Sequence, residues 1–363
     1  MQKYTQHYKL VKDTLFDFCR CISPSINSEE LDTLLQGTVV AEASVRTTVL
    51  QVIEAEIDLT DLDFSEHIWL GCHDIVEENA EIADTIWEDN ALEVDDTSFS
   101  KIMKYLDSKD YQLRGAAARA LAHAIEFDKS KFAGILSELQ SKYVEEIKPK
   151  APEKDAYGMP KKVDNADHWE ARSGIALAFN AMTNGFDGDE SVSFLRFLIE
   201  KGPLLDGNSR VRGQMTESGK SVIILRGESK VEEMMNLLQT TLETSDKDTK
   251  TSDLLNEAVI VLYGSVATHL KADDPRLQTV ISELLVALDT PSESVQHAVS
   301  ECLPPLIRSS GSKTAEYVEN LLHRLFNAPD YPRQRGAAYG LAAVVCGRGV
   351  ATLREYRIMS QLK

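Results

Sequence analysis

The stretch from Gly213 to Ser221, GQMTESGKS, ends as a phosphate-binding loop ends, with lysine and serine directly after a glycine. Such a loop needs four residues between its two glycines, so that successive backbone N–H groups converge on the phosphates, and it follows a strand. Here five residues intervene, and Asn208 to Arg212 is poor strand sequence, so we expect no nucleotide there. Gly347-Arg348-Gly349 follows the apolar run Leu341 to Val345, but the third glycine of a dinucleotide fingerprint is replaced by Thr352. Two glycines after a helix more simply close its last turn.

Cys19, Cys21, Cys72 and His73 offer zinc-ligand types without the C-x2-C or H-x3–5-H spacing that fits a tetrahedron. The five cysteines are scattered and odd in number, which predicts reduced thiols used as small apolar fillers. Neither an H-E-x-x-H nor a G-x-S-x-G motif occurs, and the acidic pairs Glu77-Glu78 and Asp95-Asp96 read as solvated helix faces. We therefore expect no catalytic residue, no cofactor and no metal, and not an enzyme.

What organises the chain is a helical period. From Val295, apolar residues fall at offsets 3, 4, 7, 8 and 11, which is one face of a helix. The same offsets recur from Leu113, Ala171 and Gln334, and more faintly from Val45, Asn79, Val211 and Asn256. These anchors are 34, 34, 58, 40, 45, 39 and 39 residues apart, close to the ~40–47 of HEAT and armadillo units. A partner helix over Leu277 to Leu288 precedes the turn Asp289-Thr290-Pro291-Ser292, where proline separates two helices. We expect an all-α fold, a HEAT/armadillo-type α-solenoid of about eight two-helix repeats, running over 1–363 as one continuous array incomplete at both ends.

The finer features follow that plan. Arg46, Arg114, Arg172, Arg212 and Arg335 each stand one residue after an anchor, as a ladder of ion pairs or carbonyl caps between stacked repeats would require. Trp69, Trp87 and Trp169 are expected in packing. Val222 to Leu225 and Val259 to Leu262 sit inside helical registers, and Tyr4 to Ile22 reads as a helix. The long 58-residue gap holds an insertion at 148–167, KPKAPEKDAYGMPKKVDNAD, expected to be a flexible loop.

Of the 363 residues, 58 are acidic and 39 are lysine or arginine. Between Thr47 and Ser100 there are 16 acids and no lysine or arginine, and the rest of the chain carries 42 acids against 39 bases. An acidic stretch repels phosphate and suits a basic protein partner or plain solubility. After Tyr331 the sign reverses. The partner-contact candidates are therefore Lys148, Lys150, Lys154, Lys161 and Lys162 on the insertion, and Arg348, Arg354 and Arg357 at the basic end. No run approaches the ~20 apolar residues of a bilayer span, and the first residues lack a leader pattern. We expect a cytoplasmic protein with no membrane association and no specific DNA site.

Several stretches carry more than the period: Arg335 to Val345 (RGAAYGLAAVV), Glu257 to Ala267 (EAVIVLYGSVA), Leu288 to Ser292 with Val295 to Cys302, and Glu217 to Ser221. They resemble the middle of the general control translational activator family, a very large HEAT-repeat protein, from about Glu217 onward and more loosely before it. The Arg335 segment is similar to the entry of the family's part that resembles translation elongation factor three, with Cys346-Gly347-Arg348 where a lysine-led turn is more usual. The resemblance implies a ribosome-associated, non-enzymatic scaffold with an ATP-binding-cassette partner. It implies a role in activating the initiation factor two alpha kinase during amino-acid starvation, through regions outside this chain. The alternative is a HEAT-repeat transport receptor or phosphatase scaffold binding a basic protein partner.

Overall fold

The structure, a computed structural model, describes residues 8–148, 167–244, 250–310 and 313–361. Among them every regular element is helical. The chain forms two compact units, Met1–Gly185 and Phe186–Lys363. The first contains α1 (Tyr8–Ile22), α2 (Ser28–Leu35), α3 (Ala43–Glu56), α4 (Glu66–Gly71), α5 (Glu77–Asp89), α6 (Ser98–Met103), α7 (Tyr111–Phe127), α8 (Phe132–Glu146) and α9 (Trp169–Ala181). The second contains α10 (Gly188–Glu200), α11 (Ser209–Arg226), α12 (Val231–Thr244), α13 (Lys250–Ala267), α14 (Pro275–Ala287), α15 (Glu293–Ser309), α16 (Thr314–Asn327), α17 (Tyr331–Arg348), α18 (Ala351–Glu355) and α19 (Ile358–Gln361).

From α2 to α17 the helices pair as consecutive hairpins, four in each unit among the described residues, so the expected eight repeats are present. Their second helices, the odd-numbered ones from α3 to α17, are those that carry the anchors. In the second unit α11, α13, α15 and α17 pack in sequence, each against the next. The 34-residue spacings early in the chain arise because α4 and α6 are trimmed to six residues each; the trimming falls on helices rather than on loops.

Polar residues start the helices where the pattern requires a boundary. The side chains of Asp110, Asn208, Asp274 and Asp330 accept from N–H groups of the first turns of α7, α11, α14 and α17. These donors have no partner within the helix. The apolar offsets then bury: Ala298, Val299, Cys302, Leu303 and Leu306 are all in the core, as are Ala116, Ala117, Ala120, Leu121 and Ala124. The β-branched runs Val222 to Leu225 and Val259 to Leu262 lie within α11 and α13, as expected.

One register differs. On α17 the buried positions are Gly336, Ala337, Gly340, Leu341, Ala343, Val344 and Gly347, whereas Ala338 and Ala342 face solvent. The offsets therefore run from Arg333 and not from Gln334. Small residues occupy both faces of this helix, so the hydrophobic pattern alone leaves its phase ambiguous by one residue.

Two glycines mark the tightest approaches. A Cβ on Gly174 would lie 2.0 Å from the Leu106 carbonyl oxygen, and one on Gly336 would lie 2.0 Å from that of Leu288. In both cases a second helix rests directly on the end of the preceding repeat's first helix, a distance that only glycine permits.

Candidate functional site

The motifs that resemble chemical sites resolve into helix architecture. Gly213 to Ser221 lies wholly within α11, where N–H groups are spent on the helix and cannot converge on a phosphate. Gly219 is where α11 meets Leu198 and Leu262, which a Cβ would approach to 2.8 and 3.0 Å. Gly349 ends α17 with φ 91° and ψ 164°, a positive-φ backbone that glycine tolerates but not the left-handed helical turn expected, and Gly347 lies inside the helix. Of the cysteines, Cys19 and Cys302 are core fillers, and burial pushes the Cys302 thiol up to about 12. Cys21 and Cys346 are exposed, which corrects the expectation that all five pack inside: each lies on the side of its helix, α1 or α17, that faces solvent.

The anchor residues form a recurring device. At the position after the anchor in five of the eight repeats, taking Arg333 as the anchor of α17, a long side chain reaches back to the carbonyl six residues earlier, in the turn between the two helices of its own repeat. Arg46 Nη1 donates to Val40 O (3.0 Å), Arg114 Nη1 to Ser108 O (2.6 Å) and Arg212 Nη1 to Asp206 O (2.7 Å). Gln296 Nε2 does the same to Thr290 O (2.7 Å), and Gln334 Nε2 to Ala328 O (3.1 Å). Turn carbonyls lack helical partners, so each cap satisfies a group that burial would otherwise penalise and holds the angle of its hairpin. The caps are thus within repeats more than between them.

Arg335 is the exception, because the one-residue shift of α17 leaves Gln334 in the capping role. Its guanidinium crosses instead to the previous repeat, at 2.8 Å from Gln296 Oε1, 3.0 Å from Glu293 Oε2 and 3.0 Å from Pro291 O. Gln296 in turn lies 2.8 Å from Pro332 O and 3.0 Å from Leu288 O. Arg114 also stacks on Trp169, 5.2 Å from the ring centre, tying the third hairpin to the fourth. Arg172 pairs with Asp167 at 2.9 Å.

The acidic segment is less uniform than its composition suggests. Asp74 is almost fully enclosed and paired with Arg46, Glu56 binds Arg20, and Asp96 binds Lys131. Burial pushes Asp74 up, but hydrogen bonds from Arg46, the Val76 N–H and Asn79 outweigh it and hold the carboxyl below its ordinary range. Asp95 accepts from Thr97 and Ser98 at the start of α6, so that acidic pair serves a turn and an ion pair rather than a bare surface. The remaining carboxylates, including Glu77, Glu78, Glu81 and Glu88, are exposed or partly so.

Within the same segment sits an aromatic cluster that spacing does not reveal. Trp69 contacts Trp87, His73 and His123 at ring distances of 4.7, 4.8 and 5.0 Å, and its indole N–H donates to Ala120 O. His73 Nδ1 lies 2.8 Å from the Trp69 carbonyl and its Nε2 3.0 Å from His123 Nδ1. A carbonyl only accepts, so neutral His73 carries its proton on Nδ1 and receives a hydrogen bond from His123. Burial lowers the His73 pKa, opposed by the Trp69 carbonyl and aided by His123 and Arg119.

The candidate contact residues are divided. Lys148 is exposed at the end of α8's turn and bonds Glu145, while Lys150, Lys154, Lys161 and Lys162 lie outside the described residues. Arg348, Arg354 and Arg357 are exposed at the end of α17 and around α18. No helix among the described residues is long and apolar enough to cross a membrane.

A family model described as the HEAT repeats of the stalled ribosome sensor GCN1 matches residues 56–268. The chain belongs to the GCN1 HEAT-repeat family. This relation runs well before Glu217, where the quoted motifs begin. The yeast (Saccharomyces cerevisiae) eIF-2-alpha kinase activator GCN1 is 32% identical over 98% of this chain. The human (Homo sapiens) stalled ribosome sensor GCN1 is 29% identical over 97%, and the Arabidopsis thaliana protein ILITYHIA 31% over 93%. The chain spans only 13%, 14% and 12% of those relatives' lengths.

Proposed function

We propose that this chain is a non-enzymatic, cytoplasmic scaffold segment that contributes a rigid surface to a ribosome-associated complex. In that complex the initiation factor two alpha kinase is activated, in amino-acid starvation, by regions outside the segment. The observation that carries the proposal is the match along nearly the whole chain to proteins named as a stalled ribosome sensor and a kinase activator, together with a surface whose long cationic side chains at the repeat anchors are spent on internal caps. An ATP-binding-cassette protein is the partner expected beside the ribosome. The exposed cations at Lys148, Arg348, Arg354 and Arg357, with Lys150, Lys154, Lys161 and Lys162, are the proposed contacts to ribosomal phosphate or acidic protein. The uninterrupted array expected over 1–363 belongs to the same proposal, and solution scattering from the chain tests it.

Crosslinking the intact protein to ribosomes is the direct test. Capture of peptides from 148–167 or from the region of Arg348 to Arg357 is the expected result. Ribosome association of the intact protein with neither region captured reduces this segment to a spacer. A protein that does not sediment with ribosomes at all overturns the proposal.

A further inference from the structure

In the second unit a groove of about 870 Å3 opens between two neighbouring hairpins. The first helices of these repeats, α12 and α14, scarcely touch, so α13 forms the floor between them. The lining is mostly apolar, and among its charged side chains the carboxylates Glu243, Asp253, Glu283 and Asp289 outnumber the one guanidinium, that of Arg333. Arg333 is already bonded to Asp330, and Asp289 to Arg324. Glu243, Asp253 and Glu283 thus pair with no cation among the described residues.

Glu283 is held in place. Its two oxygens accept from Tyr263 Oη at 2.8 Å and from Gln239 Nε2 at 3.2 Å. Both donors are neutral, so neither offers a counter-charge, and the carboxylate has lone pairs left for a further donor. On the floor, the Asn256 Oδ1 atom of α13 is closed to water and accepts no hydrogen bond among the described residues, an unsatisfied state that buried oxygens rarely keep. Beside these polar groups Val286 is 67% exposed.

We propose that the groove docks an extended segment of a basic protein in which arginine or lysine alternates with apolar residues. A guanidinium or ammonium entering at Glu283 forms the charge-assisted bond the site is arranged to accept. Successive residues of an extended chain point to opposite sides, so apolar neighbours cover the exposed Val286. A peptide N–H supplies the partner Asn256 Oδ1 lacks, after a turn of its amide. Nucleic acid is disfavoured because these carboxylates repel phosphate. The inference deepens the scaffold proposal by naming one surface and its partner's chemistry. It rests on that proposal for the partner being a protein, but its test contains no ribosome, so the two fail separately.

The test uses the purified chain and a fluorescein-labelled peptide of alternating arginine and leucine, with a citrulline-for-arginine version as control, read by fluorescence anisotropy. Glu283→Gln is expected to weaken binding about tenfold, and Glu283→Gln with Asp253→Asn further. Val286→Arg, at an exposed position that spares the fold, is expected to weaken it comparably by placing a cation in the peptide's path. The matched charge change on α5, Glu77→Gln with Glu81→Gln, leaves affinity within about twofold. Hydrogen exchange should slow on the C-terminal halves of α12 and α14 when peptide is added. Equal loss in the α5 variant, undiminished binding to Glu283→Gln/Asp253→Asn, equal affinity for the citrulline peptide, or protection confined to another helix each overturns the proposal.

Discussion

Arg46 and Asp74 form a two-pronged pair, with Nε 2.6 Å and Nη2 2.8 Å from the two carboxylate oxygens and each side chain only 6% exposed. The same guanidinium caps Val40 and Ala41, so one side chain closes its own hairpin and fastens it to the next. Removing one member leaves the other charged and enclosed. Asp74→Ala or Arg46→Ala should cost about 3–5 kcal/mol in urea unfolding, with hydrogen exchange faster on α3 and α5. A loss below about 1 kcal/mol for either variant would show the pair to be solvated.

Acid should weaken the first unit in two stages. His67 and His73 have imidazole pKa values lowered chiefly by burial. The unfolded chain therefore binds protons near the ordinary imidazole value of 6.5 that the folded chain refuses. Stability is full above that range and falls as the pH drops through it. Asp74, lowered below its ordinary 3.8, contributes stability above that value that is lost as the pH falls through its folded pKa. Urea midpoints measured from pH 7 downward should fall first through the imidazole range, and His73→Phe should flatten that step; a midpoint constant from pH 7 to 5 contradicts this.

Glycine position decides the sign of an alanine substitution. At Gly336 a Cβ meets the Leu288 carbonyl, whose backbone cannot yield, and Gly336→Ala should destabilise by about 2–3 kcal/mol. At Gly213 on α11 a Cβ meets nothing within 4 Å, and Gly213→Ala should stabilise by about 0.5–1 kcal/mol through helix propensity. Thermal melts of the two variants should move in opposite directions.

Gln296 and Arg335 should be energetically coupled. The Gln296 amide nitrogen lies within hydrogen-bond distance of three carbonyls in two segments, Leu288 and Thr290 in the turn before α15 and Pro332 at the start of α17, while its oxygen accepts from Arg335. Gln296→Ala is expected to cost about 2–3 kcal/mol by stranding these groups. A double-mutant cycle with Arg335→Ala should return a coupling of about 1 kcal/mol, whereas strict additivity would place Arg335 outside the network.

Thiol labelling should separate the cysteines by surroundings. Cys21 and Cys346 are exposed, whereas Cys19 and Cys302 are buried and have thiol pKa values raised chiefly by burial, as has the partly enclosed Cys72. An aromatic disulfide reagent at neutral pH should modify Cys21 and Cys346 rapidly, and the other three only on unfolding. Rapid reaction at Cys302 would mean that α13 and α15 part readily.

The repeat plan is legible before folding because it depends on local chemistry. Apolar spacing in α7, α9 and α15 faces one way whatever the neighbours are, and Asp110, Asn208 and Asp330 start helices through bonds to their own first turns. Where that local signal weakens, the inference slips. On α17, alanine and glycine fill both faces, and only the seat of Gly336 on Leu288 settles which face turns inward. That shift also reassigns the cap from Arg335 to Gln334.

The interaction surfaces were far less accessible to a one-dimensional pattern. Periodicity in this chain dictates helices, their pairing and the flank each must bury, because burial of an apolar stripe is a property of a few successive turns. It says nothing of which acidic side chain finds a cation. Asp74 and Glu283 are both carboxylates on helical repeats, yet one is locked to Arg46, 28 residues away, and the other is held by Tyr263 and Gln239 and pairs with no cation among the described residues. Such pairings join residues distant along the chain, and the electrostatics that set them act through space, so they exist only once the hairpins have stacked.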